Sequence, residues 1–190
     1  MNKKNKPYIF AIMIYFEFDK EKAINSMLYI CQELGGSYDM YAVLKMLYFA
    51  EKKHISTYGR PITGDTIQAL PHGPVPLISY NLIKDENSLT SDFELSKNIV
   101  SAKRKPNMDV FSDSDIECLN ESIIENKSLD FFRLKNKSHD SAYDWAEKNT
   151  GINSTIPYEQ IALSGGASED MIDYIRIISE NQSCELNGLA

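Results

Sequence analysis

The stretch from Asp39 to His54 carries Met40, Val43, Leu44, Met46, Leu47, Phe49 and Ala50, so a helix built on it is apolar round most of its circumference. Such a helix is stable only when other elements enclose it, and the rest of the chain has to supply them. Ahead of it, Asp19 can cap a helix whose Ala23, Ile24, Met27, Leu28, Cys31 and Leu34 recur at helical spacing, with Gly35-Gly36 as the stop. After it, Ser114-x-x-Glu117 has the capping-box pattern and predicts a helix from about Asp115 to Asn126. Two shorter helices are expected, one over Leu129–Leu134 and one beginning near Asp140 that stacks Ala142, Trp145 and Ala146 on one side. A last helix follows Gly165-Gly166, capped by Ser168, with Met171, Ile172, Ile175 and Ile178 inward, and the polar chain after Glu180 is expected to fray.

Strand signals are few. Residues 57–76 hold four prolines and three glycines, too many breakers for a helix, although Thr66–Leu70 suits a short strand. Pro76 fits the first turn of a helix bearing Ile78, Leu82 and Ile83, ended by Asp85 and Asn87. Ile99-Val100, closed by Lys105-Pro106-Asn107, reads as another strand, expected to pair near Thr66–Leu70. The fold class is therefore mainly α, a compact helical domain with a small antiparallel β element. A chain of 190 residues fits one such domain, here residues 18–180, with an apolar arm over 1–17 and a polar tail over 181–190.

Lys3, Lys4 and Lys6 followed by the apolar run Tyr8–Phe16 imitate a signal peptide, but Glu17 and Asp19 follow at once and the run falls far short of the roughly 20 residues that span a bilayer. No membrane is expected, and the run reads as a strand or arm packed on the body. A formal net charge of -7 repels phosphate backbones, which disfavours nucleic acid as a direct partner. Cys31, Cys118 and Cys184 are odd in number and far apart, which suits a reducing cytoplasm, and Cys31 sits on an apolar helix face where a thiol stays inert. His54, His72 and His139 show no metal-ligand spacing, so neither a metal nor another cofactor is expected; His54 reads as a packed or capping histidine. Ser138-His139-Asp140 is a triad only in print, because triad members converge in space rather than along the chain. Ser164-Gly165-Gly166 lacks the Lys and spacing of a phosphate loop, and Lys103-Arg104-Lys105 reads as a solvated strand edge.

The unusual segment is Tyr58-Gly59-Arg60-Pro61-Ile62-Thr63-Gly64-Asp65 with His72-Gly73-Pro74-Val75-Pro76 behind it. Glycines and prolines together hold one loop shape with little entropy left to lose, which suits docking. Tyr58, Arg60, Asp65, His72 and Val75 are its candidate partner-binding residues, with Arg60 and Asp65 spaced to pair across it. Two other readings stand beside this one: a loop that only locks helices to a sheet, and an enzyme pocket built on Arg60, Asp65 and His72, for which the sequence offers no nucleophile or metal.

Residues 44–84, LKMLYFAEKKHISTYGRPITGDTIQALPHGPVPLISYNLIK, resemble the core signature of the Panacea, or SocA-like, antitoxin domain. The family's buried helix matches Leu44–His54, its Y-G-x-P-I-x-G-D matches Tyr58–Asp65, its A-x-x-x-G-P-V-P matches Ala69–Pro76, and its helical tyrosine matches Tyr80. The opening helix FDKEKAINSMLYI and the later Ser138-His139 with Trp145 are also similar, although Tyr143-Asp144 stands where the family often carries proline. The resemblance spans about residues 18–179. It implies a bacterial or phage antitoxin that neutralises a cognate toxin by direct contact, without catalysis. An adaptor that delivers its partner to a protease is the alternative binding function, and a homo-oligomer is compatible with either.

Overall fold

The computed structural model describes residues 14–84 and 92–186. Helix α1 (Lys20–Glu33) leads through a short strand β1 (Ser37–Asp39) into α2 (Met40–Tyr58). A hairpin β2 (Ile67–Leu70) and β3 (Gly73–Pro76) feeds α3 (Leu77–Lys84), and a second hairpin, β4 (Phe93–Ser96) and β5 (Ile99–Ala102), follows. After a 3-10 turn at Met108–Val110 come α4 (Asp113–Asn126), α5 (Phe131–Ser138), α6 (Ser141–Asn149), α7 (Tyr158–Ser164) and α8 (Glu169–Leu186). The architecture is mainly α with small antiparallel β elements, as the periodicity predicts.

Helix α2 is the axis. Every residue from Ala42 to Glu51 is buried, so all faces of the helix are covered. Val43, Leu44, Met46 and Leu47 belong to one apolar cluster with Met27, Leu28 and Cys31 of α1 and Cys118, Leu119 and Ile123 of α4. Tyr48, Phe49 and Ile55 join a second cluster with Ala142, Tyr143 and Ala146 of α6, Ile161 of α7, and Ile172 and Ile175 of α8. Each such side chain contributes about 1.5–3 kcal/mol when fully buried, so α2 is held mainly by packing rather than by intrinsic propensity.

Most expected caps form. The Asp19 carboxylate accepts from the Lys22 amide at 2.8 Å, Asp140 accepts from the Ala142 and Tyr143 amides at 3.1 and 3.2 Å, and the Ser168 hydroxyl accepts from the Met171 amide at 3.2 Å. Ala142 and Ala146 are buried, with Trp145 half-buried against their cluster.

Other details depart from expectation. The cap of α4 is Ser112 with Asp115, not Ser114 with Glu117, and the helix starts at Asp113. Both patterns are present in Phe-Ser-Asp-Ser-Asp-Ile-Glu, and Asp115 is fixed by Lys22, His54 and Arg60, which selects the earlier register. The Ile99-Val100 strand pairs with β1 and β4, while β2 pairs with its neighbour β3. Joining β2 to β3 closes only a tight turn and therefore costs less chain entropy than reaching residue 99. Helix α5 begins at Phe131, capped by Asp130, and runs on to Ser138. Pro157 opens α7, a helix the sequence reading omits. Helix α8 continues through Leu186, past the Glu180 boundary assigned to the tail. Asp85, Asn87 and residues 1–13 of the apolar arm lie outside the described residues. Where the arm enters the structure, Phe16 is buried edge-on against Tyr158, and the Tyr15 amide and carbonyl both bond the Ser179 hydroxyl.

Candidate functional site

The C-terminal half of α2 projects Glu51 and His54, one turn apart, towards the Gly/Pro loop. Both are buried, and each organises the loop backbone. The Glu51 carboxylate accepts from the Ile62 and Thr63 amides at 2.7 and 2.9 Å and from the Thr63 hydroxyl. Burial pushes this carboxyl up to about 7 despite those donors. His54 Nδ1 lies 2.7 Å from the Arg60 carbonyl, which can only accept, so Nδ1 carries the proton there. Its Nε2 faces the Ser114 hydroxyl at 3.0 Å and Asp115 Oδ1 at 3.1 Å.

Arg60 does not pair with Asp65. Its guanidinium reaches Asp115 at 3.1 Å and the Ser112 hydroxyl at 3.0 Å, clipping the end of α2 to the start of α4. Burial raises the Asp115 carboxyl, but His54, the Ser112 amide, Lys22 and Arg60 outweigh it and hold this group well below the usual carboxylate range. Asp65 is spent elsewhere: its two oxygens accept from the Ile78 and Ser79 amides at 2.8 and 2.7 Å. It thereby caps α3 from a distance, where Pro76 has no side-chain acceptor to offer. Burial raises the Asp65 carboxyl, offset in part by Ser79 and these amides. At Gly64 (φ +69°) a Cβ would overlap the Glu17 carbonyl, so a residue without one is required where the two backbones meet.

The five candidate binding residues therefore separate. Tyr58, 38% exposed, lies over His54 and donates to Glu117 at 2.6 Å; it shares with half-exposed Arg60 the junction of α2 and α4. Asp65 is enclosed at the start of α3 and presents no surface. His72 and Val75 lie at another groove, of about 170 Å³, which Tyr41, Leu44, Tyr80 and Phe131 also line. Exposed His72 stands at its edge, T-shaped on Phe131 at 5.8 Å, while Val75 is 5% exposed. Arg60, Asp65 and His72 thus occupy three different surroundings rather than one pocket.

The floor of that groove holds a residue that sequence reasoning missed. Lys45, 4% exposed, donates from Nζ to the Pro74 carbonyl at 2.7 Å, and burial pulls its ammonium down to about 7, with Asp140 opposing that and Lys135 adding to it. The place is kept open by Gly73 (φ +97°), whose Cβ would meet Ser138 Oγ at 2.5 Å and Lys45 Nζ at 2.7 Å. The available signal for Lys45 and Glu51 was that a helix apolar all round has no outer face on which to place a charge.

Among the described residues no cluster of three or more His, Cys, Asp or Glu side chains is arranged to hold a metal, and no helix is long and apolar enough to cross a membrane. Residues 43–146, just over half of the chain and reaching from α2 into α6, match the family described as antitoxin SocA-like, Panacea domain. No curated protein and no solved structure matches the chain.

Proposed function

The chain belongs to the SocA-like Panacea antitoxin family, and from that premise we propose that it silences a cognate toxin in the cytoplasm of a bacterium or phage-infected cell by direct, stoichiometric protein contact. The observation that carries this reading is where the polar signature residues spend their bonding capacity. Glu51, His54, Arg60 and Asp65 are each committed to backbone or side-chain groups of this chain, so the motif supports a rigid body suited to docking. Catalysis by the loop residues would call for one of these side chains to be left available as a nucleophile or base beside a cleft.

Titration separates masking from turnover. Inhibition of the purified toxin should end at a fixed molar ratio, with both chains unmodified by mass spectrometry and recovered as one complex by size exclusion. Silencing at a small fraction of the toxin concentration, persisting after this protein is removed, would overturn the masking model.

A further inference from the structure

We propose that the groove between α2, the β2–β3 hairpin and α5 is a socket for one carboxylate side chain of the partner protein, received by Lys45 and flanked by Phe131 and Phe132. The inference rests on the partner-binding reading above and names what that partner presents.

Lys45 carries the chemical part of the argument. An ammonium has three donors, and the Pro74 carbonyl engages one; no further hydrogen bond to Lys45 is present among the described residues. A cation that is 4% exposed, at the floor of a groove walled by Tyr41, Leu44 and Tyr80, is costly to keep when the carboxylate whose charge reaches it, Asp140, is already bonded to Tyr48, Lys52 and the first amides of α6. Size limits the guest. About 170 Å³ is below the roughly 300–1,000 Å³ of sites for drug-sized ligands, so the socket suits a side chain carried by a larger surface.

The rim supplies that larger surface. Phe131 and Phe132 are 40% and 73% exposed, edge-to-face with each other at 5.7 Å, and exposed aromatic pairs of this kind are the residues that protein interfaces cover. Behind them α5 carries Arg133, Lys135 and Lys137 and no acidic residue, in a chain whose formal charge is -7. Asp130 pairs with Arg133 and Glu125 with Lys137, so the cation of α5 without an ion pair among the described residues is Lys135, and it adds to Lys45 in favouring an acidic guest. The groups facing Lys45 are Asp140, Lys135 and His139 from the α5–α6 side, His72 from the hairpin, Tyr41 from α2 and Tyr80 from α3. Burial first, and Lys135 after it, disfavour the charged ammonium; the attraction of a bound carboxylate offsets both and favours the charged form, so binding takes up a proton near neutral pH.

The test uses the full chain labelled with ε-13C lysine and two probes, acetyl-Leu-Asp-Leu-amide and its Asn counterpart, followed by NMR, with toxin complex formation measured alongside. The Asp peptide should shift the Lys45 signal saturably and raise its titration midpoint by at least about one pH unit, while the Asn peptide binds at least about tenfold more weakly. Lys45→Met should abolish the preference for Asp over Asn. Should that variant fail to fold, the exposed-site change Phe132→Asp still decides, since it must weaken Asp-peptide binding in a folded chain. Equal binding of the two peptides, or no saturable shift at Lys45, overturns the socket. A toxin complex that forms equally well with Lys45→Met also overturns it while leaving the masking reading in place. Conversely, a wild-type chain that takes the Asp peptide but never complexes its toxin retains the socket and removes the masking reading.

Discussion

A urea denaturation series from pH 5 to 9 should give this protein a stability minimum near neutrality, whereas most proteins are most stable between about pH 5 and 8. Two buried groups of α2 set the profile. The Glu51 carboxyl is raised from 4.5 to about 7. Between those values the folded chain holds a proton that the unfolded chain has released, so stability is fully present below 4.5 and falls as pH rises through about 7. The Lys45 ammonium is lowered from 10.5 to about 7. Between those values the unfolded chain holds the proton, so stability rises with pH above about 7. At about 1.4 kcal/mol per pH unit, roughly two pH units of each limb inside the measured range correspond to on the order of 3 kcal/mol on either side of the minimum. Asp65, also raised, adds to the falling limb, and His139, lowered, opposes it; Asp115, held low, acts only in acid. Glu51→Gln should flatten the limb below pH 7 and Lys45→Met the limb above it, each leaving the other intact. A wild-type profile with its maximum at pH 7, or a minimum that persists in both variants, would refute the assignment to these two groups.

Gly64→Ala should cost more than Gly59→Ala in thermal denaturation, because the first Cβ meets the fixed Glu17 carbonyl and the second meets the Tyr174 ring, which can turn aside. Equal losses would show that the Glu17 segment is free to yield. Leu47→Asp, at a position with no exposure, loses about 2–3 kcal/mol of burial and adds a desolvation cost, so no cooperative unfolding transition should remain at room temperature by circular dichroism. Arg60→Glu places a carboxylate against Asp115 and should lower the urea midpoint by an equivalent of about 1–2 kcal/mol, and an unchanged midpoint would mean that the clip adds nothing to stability. Cys31 and Cys118, buried and pushed up to about 12 and about 11 by desolvation, should resist a thiol reagent at pH 8 until denaturant is added.

The helices were legible because their apolar residues recur at helical spacing and most of their caps are local, as Asp19, Asp140 and Ser168 illustrate. Pairing was not. Strand β1 is three residues, Ser37-Tyr38-Asp39, without a strand-like alternation, and its partner β5 lies about sixty residues away. Helix α7 has seven residues, too few to display a period, and its N-cap, Pro157, makes no side-chain capping bond. In the site, the loop was recognised from its glycines and prolines, but the direction of each side chain was not. Arg60 and Asp65 carry opposite charges five positions apart, yet Asp115 and the free amides of α3 were better placed to receive them. Such partners become visible only when α4 and α3 are folded back on α2.

The enclosure of α2 also has a consequence during synthesis. Leaving the ribosome, this apolar helix has α1 beside it, but α4, α5 and α7 are still to be translated. The last residue of α7 follows Tyr58 by roughly a hundred residues, which takes about 5 to 20 seconds at about 5–20 residues per second. Throughout that interval Tyr48, Phe49 and Ile55 lack the neighbours that cover them in the finished protein. A nascent chain stalled in α6 would therefore leave the face of α2 that packs on α7 and α8 open to chaperones and proteases, a surface that the complete chain does not present.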